Sequence, residues 1–172
     1  LYRIRDLIDD AARMRDWSHM TDALARSAPA IPPGSASAYH GLTYGWLVGE
    51  VVQRVAGRPF AEVIQREIAQ PLELDGLYVG TPTEPAARAA ALLVADSGRR
   101  RMAGLEVRIR RAQRVFSALR IPIDLRRIGE ALMPPNIETF EWAAADTLAV
   151  PIPAANGLFT ARSLAKLYAT LA

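Results

Sequence analysis

The sequence predicts a predominantly α-helical chain with one or two short strands. Three observations carry that expectation. Apolar residues recur at spacings of three and four in successive stretches along the chain, the periodicity of one helix face. Aspartate, threonine and proline stand where these stretches begin, and glycine or proline stands where several of them end. Only Gly76-Leu77-Tyr78-Val79-Gly80 reads as an extended run.

Taken in order, Ile4, Leu7, Ile8, Ala11 and Met14 recur at helical spacing, with Asp9 and Arg13 among the polar positions between them. Asp16 is the expected cap of a second helix carrying Trp17, Met20 and Leu24. Pro29, Pro32, Pro33 and Gly34 punctuate a turn-rich loop from Ala28 to Ser37. A helix is expected from about Leu42 to Ala56. Gly45 and Gly49, one turn apart, should let another backbone approach it at some cost in helix propensity. Gly57 ends it, and Pro59 opens a helix to about Ala69 whose inward stripe is Phe60, Val63, Ile64 and Ile68. Pro71 stops that helix.

Farther on, Met102, Leu105, Ile109, Ala112, Phe116 and Leu119 form a narrow apolar seam on the most charged segment, Arg99 to Arg120. Residues 134–156 are proline-rich and are expected to be an extended, irregular passage. Thr160 then caps a final helix through Ser163 and Leu164.

Composition limits the functional classes. A chain of 172 residues, 51% apolar and 23% charged, can bury a real core as one domain. Net charge is only +3, and the sequence pI of about 9.7 reflects arginine, because Lys166 is the sole lysine. That balance does not predict nucleic-acid binding, and no nucleic-acid partner is expected. With no cysteine there is no disulfide, thiolate metal site or cysteine nucleophile. His19 and His40 are the only histidines, so no metal and no other cofactor is expected. No apolar run reaches bilayer length. No basic start followed by an apolar stretch marks a leader, which tilts localisation toward the cytoplasm. A chain that opens at Leu1 inside a helical pattern reads as an internal slice of a longer protein.

The most informative stretch is Pro33 to Gly57, PGSASAYHGLTYGWLVGEVVQRVAG. It sets a proline-glycine turn, a tyrosine, and a helix containing Gly45 and Gly49 that closes at Gly57. This resembles the second active-site segment of the serine β-lactamase and penicillin-binding-protein superfamily. The nearest branch holds class C β-lactamases, D-alanyl-D-alanine carboxypeptidases and β-lactamase-related carboxylesterases. Asn156-Gly157-Leu158-Phe159-Thr160-Ala161 resembles a later family segment in which a glycine, a small turn and a threonine-alanine pair open a helix. The resemblance is specific over residues 31–80 and 151–170.

The resemblance implies an α+β parent of β-lactamase/transpeptidase-like fold, an antiparallel sheet flanked by helices plus a helical lobe. Residues 1–172 would form a partial domain, mainly that lobe. It also implies a serine hydrolase that acts through an acyl-enzyme on a small ester or amide. A serine hydroxyl needs a neighbouring base to take its proton. In the family a lysine one turn after the serine and the tyrosine of the second segment share that work. Tyr39 is the candidate for that tyrosine, as general base and proton shuttle, with His40 flanking it; counting back from Gly49, His40 also fits the tyrosine's slot. Many relatives follow the tyrosine with a small residue and an asparagine, whereas His40 and Gly41 stand here. That departure favours an esterase or peptidase-like hydrolase over a β-lactamase.

The serine-lysine segment and the lysine- or histidine-containing strand of the family are missing from these residues, so the 172-residue chain is expected to be inactive alone. Ser163-Leu164-Ala165-Lys166 fits the serine-x-x-lysine pattern, but it lies after the tyrosine rather than before it and reads as a decoy. In the family a turn like that after Pro71-Leu72 usually has glycine where Glu73 stands. Two other readings remain: a non-catalytic or degenerate module of the same fold, or an arginine-rich binder of membrane or nucleic-acid surfaces. Seven arginines between Arg99 and Arg114 motivate peripheral membrane contact through Arg99–Arg120, against a cap helix that packs its seam and solvates its arginines.

Overall fold

A computed structural model describes residues 2–93, 105–119, 129 and 131–171. The chain opens with two 3-10 turns, Ile4–Asp6 and Ala11–Arg15. The sequence pattern there reads as one helix, and the structure corrects it. Asp10 is extended (φ −147°, ψ 141°) and its carboxylate accepts from the Ala12 N–H at 2.7 Å, so the backbone turns before Ala11. The apolar positions still serve the core, with Ile4, Ile8, Ala11 and Met14 all buried.

Helix α1 spans Trp17–Arg26 and is capped as expected, Asp16 accepting from the His19 N–H at 2.9 Å. Helix α2 spans Thr43–Ala56 and ends at Gly57, whose φ of +65° is the left-handed conformation glycine adopts without a Cβ penalty. Helix α3, Phe60–Ile64, widens into a π-turn over Gln65–Ala69, where the Gln70 N–H donates to the Gln65 carbonyl at 2.9 Å. The Gln65 side chain reaches back to donate to the Leu77 carbonyl at 2.6 Å, tying that turn to strand β1, Leu77–Tyr78.

Beyond β1 lie α4 (Thr83–Ala86) and α5 (Leu105–Ala118). On α5, Ile109, Ala112 and Phe116 are half-buried, while Arg108, Arg110, Arg111 and Arg114 are exposed. Leu119, at the end of the expected seam, is instead 64% exposed, while Met102 lies outside the described residues, as do Arg99 to Arg101 and Arg120. Residues 134–156 hold a 3-10 turn, Ile137–Thr139, and helix α6, Ala145–Ala149. The prolines flank these turns instead of interrupting them, which is why a proline-rich stretch accommodates helix here. Strand β2, Leu158–Phe159, and helix α7, Ala161–Ala169, complete the chain.

β1 and β2 pair antiparallel, Leu77 opposite Phe159 and Tyr78 opposite Leu158. The described residues are thus mainly helical, with this two-stranded ladder joining distant parts of the sequence. The core gathers Ile4, Ile8, Met14, Met20, Leu24, Leu42, Trp46, Phe140 and Ile152. Each fully buried aliphatic among them contributes roughly 1.5–3 kcal/mol of transfer free energy. Trp46 lies at the centre and is wholly buried. The 3-10 turns, α1, α2 and the 140–152 region all pack on that one cluster.

Candidate active site

The loop before α2 is set by Gly34 (φ +82°), with the Ser35 N–H donating to the Pro32 carbonyl at 3.1 Å and its hydroxyl donating to the same oxygen at 2.6 Å. The chain then runs without regular structure to α2 and leaves Tyr39 66% exposed. The phenol has no hydrogen-bond partner among the described residues. A Cβ on Gly41 would stand 3.0 Å from Tyr39 Cε1 and would overlap the Leu132 side chain. Gly41 therefore lets the Tyr39 ring and Leu132 come together at the mouth of α2.

His40 points the other way. It is half-buried, its Nδ1 lies 3.1 Å from the hydroxyl of the fully buried Thr43, and its ring meets Tyr2 edge-on at 6.3 Å between centroids. Burial pushes the imidazole below its usual 6.5, favouring the neutral ring. The two sequence candidates thus divide: Tyr39 is presented to solvent, and His40 anchors the loop to the first turn of α2.

Ser163 is not presented as a nucleophile. It is 3% exposed, donates to the Asp75 carbonyl at 2.9 Å and accepts from the Thr160 hydroxyl at 2.9 Å. Thr160 Oγ1 also accepts from the Ser163 N–H at 3.2 Å, capping α7 as the sequence predicts. Lys166 is exposed on the same helix. The serine-x-x-lysine pattern therefore fastens α7 to the turn before β1. Residues 1–38 contain no other such pattern.

Sequence reasoning missed how the two informative segments meet. Gly45 lies against the 153–154 backbone, where a Cβ would stand 2.9 Å from Ala154 N and 3.0 Å from Pro153 Cβ. The 147–157 loop that presents Ala154 is organised by Asn156, which is 5% exposed. Its Oδ1 accepts from the Ile152 N–H at 2.8 Å, and its Nδ2 donates to the Thr147 and Val150 carbonyls at 2.8 and 2.7 Å. A buried asparagine between prolines and a glycine was the available signal. Among the described residues no group of three or more His, Cys, Asp or Glu side chains is placed to hold a metal ion. None of the described helices is long and apolar enough to cross a membrane.

A mainly helical chain whose short ladder joins distant segments has the fold of a known class of protein. The beta-lactamase family profile matches residues 3–172, and the chain belongs to that family. It is 33% identical over 153 residues to "Esterase/beta-lactamase LipL" of Mycobacterium tuberculosis, a match spanning 89% of this chain and 33% of that protein. It superimposes on the crystal structure of a novel penicillin-binding protein (PBP) homolog from Caulobacter crescentus with a TM-score of 0.65 and 32% identity, covering 92% of this chain and 36% of the other. The fold is therefore β-lactamase/penicillin-binding-protein-like, and the chain spans about a third of the length of both relatives.

Proposed function

We propose that this chain supplies the tyrosine-bearing helical lobe of a serine hydrolase, one that cleaves a small ester or amide through an acyl-enzyme. Tyr39 takes the role of base and proton shuttle beside a serine that residues 1–38 do not supply. His40 positions it from behind through Thr43. The observation that carries this reading is the exposed Tyr39 phenol, free of partners among the described residues, on a loop that Gly34, Gly41 and His40 hold in place. A buried or hydrogen-bonded phenol would already be committed to structure. An esterase is favoured over a β-lactamase because His40 and Gly41 replace the small residue and asparagine common after the tyrosine; the relative's name carries both activities and does not decide between them.

On this reading the 172 residues alone hydrolyse nothing. Purified chain should leave p-nitrophenyl acetate at its buffer rate, and turnover that Tyr39→Phe abolishes would show a complete site instead. A chimera carrying residues 3–172 in place of the matched third of the Mycobacterium tuberculosis relative tests the tyrosine itself. General acid–base participation predicts that Tyr39→Phe lowers its kcat about 10²-fold or more without changing its thermal midpoint. An unchanged kcat removes Tyr39 from the mechanism.

A further inference from the structure

Helix α5 turns an unpaired basic face outward. Val107, Arg111, Val115 and Leu119 follow one another at intervals of four residues, sweeping about 120° of arc at about 100° per residue. The Leu119 N–H donates to the Val115 carbonyl at 3.0 Å, so the turn continues through Leu119. Arg108 falls inside that arc, and Arg114 and Arg110 lie within about 60° of its Val107 edge. All four arginines are exposed, and so are Val107, Val115 and Leu119. None of the four guanidiniums has an ion pair or hydrogen bond among the described residues. Arginine elsewhere is held differently: Arg15, Arg54, Arg66 and Arg88 each stand within 3.2 Å of a carboxylate. A helix that only caps a core keeps apolar side chains off its outer face. On α5 the seam residues Ile109, Ala112 and Phe116 are no more than half-buried, while three aliphatic side chains stand among the arginines.

We propose that the outward face of α5 is a docking surface for an anionic phospholipid membrane. The arginines take the lipid phosphates, each guanidinium presenting a planar fork of donors to phosphate oxygens. Val107, Val115 and Leu119 enter the boundary between headgroups and acyl chains, and the long arginine stems reach from that depth back to the phosphates. Charge complementarity alone would also admit a nucleic acid. The aliphatic side chains select lipid, because they gain nothing against a sugar-phosphate backbone. The one aromatic ring of α5, Phe116, lies on the half-buried side, where it cannot stack on a base. Attachment of this kind is reversible and weakens as salt rises. It does not depend on Tyr39.

Cosedimentation of the 172-residue chain with vesicles is the test. The chain should pellet with phosphatidylcholine vesicles that contain phosphatidylglycerol and stay in solution with phosphatidylcholine alone. Raising sodium chloride from about 50 to about 500 mM should release most of it. Arg110→Glu/Arg114→Glu should lower the partition coefficient at least about tenfold. Val115→Ser/Leu119→Ser, which leaves the charge unchanged, should lower it about fivefold. These four side chains are exposed, so both double variants keep the thermal midpoint of the unaltered chain by circular dichroism, which separates lost contact from lost fold. No pelleting, equal pelleting with neutral vesicles, or pelleting indifferent to either double variant overturns the proposal. So does a preference for duplex DNA over the anionic vesicles in direct competition, which would assign the arginines to nucleic acid.

Discussion

Trp17 Nε1 donates to Glu50 Oε2 at 2.7 Å, while the far edge of the same indole lies over Gly49, the residue before that glutamate. One side chain of α1 thus grips α2 through a polar contact and a steric fit at once. Trp17 also stacks on Phe60 of α3, 5.7 Å between centroids at 21°. The three helices meet at a single aromatic wedge.

Gly49 is the position where that wedge has least room. A Cβ there would stand 2.7 Å from Trp17 Cη2 and 3.5 Å from Phe60 Cδ2. Gly49→Val should therefore destabilise the chain by about 1–3 kcal/mol through overpacking, outweighing any gain in helix propensity. Urea unfolding followed by tryptophan fluorescence measures this, and an unchanged midpoint would mean that the wedge yields freely.

Glu50 makes the same contact sensitive to acid. Burial raises its pKa, but hydrogen bonds from Arg54 and Trp17, with the Arg54 charge, outweigh that and hold the carboxyl below its ordinary 4.5. Unfolding then takes up protons in acid. The stabilising contribution is complete above pH 4.5 and is lost as pH falls through the lower folded-state value. Glu50→Gln should cost about 1 kcal/mol at pH 7 and shrink the difference in unfolding free energy between pH 7 and pH 3. Equal pH dependence in both proteins would remove Glu50 from the acid response.

Local signals in the sequence were strong wherever one residue dictates its own backbone. Asp16 and Thr160 cap their helices because a side-chain oxygen reaches an N–H three residues on, and Gly57 ends α2 because only a left-handed residue fits. Tyr39 was legible as a site candidate from its place between a proline-glycine turn and a glycine-containing helix. The first turns were not legible, since apolar spacing there is compatible with helix and only the extended Asp10 breaks it. Contacts made across the fold were hidden too. Nothing local to Gly45 tells that Ala154 will press against it, and nothing local to Ser163 tells that its hydroxyl will be taken by Asp75.

Asn156 shows how much one buried amide can organise. It satisfies the Ile152 N–H and two carbonyls within a loop that presses on α2 at Gly45. Asn156→Ala leaves those backbone groups unpaired and should cost about 2–4 kcal/mol. Asn156→Asp keeps the shape but gives up the donor to both carbonyls, so it should cost nearly as much. Calorimetry of the two variants separates lost hydrogen bonds from lost volume, and a near-neutral aspartate would assign the effect to packing.

Glu73 is the residue most at odds with its backbone. Its φ is +48°, a left-handed conformation that costs a residue with a Cβ about 1–2 kcal/mol. The turn is fixed from both sides: the Glu73 N–H donates to the Gln70 carbonyl at 3.0 Å and the Leu74 N–H to the Ala69 carbonyl at 2.8 Å, so the chain cannot relax there without losing the exit from the π-turn. The side chain is exposed and would give up no buried contact on removal. Glycine removes the steric penalty but loses more entropy on folding, a cost of about 0.5–1 kcal/mol. The balance predicts that Glu73→Gly stabilises the chain by about 0.5–1 kcal/mol, while Glu73→Ala, which keeps the Cβ, brings no such gain. Urea midpoints of the two variants decide the matter, and equal shifts would mean that backbone conformation is not the source of strain at this turn.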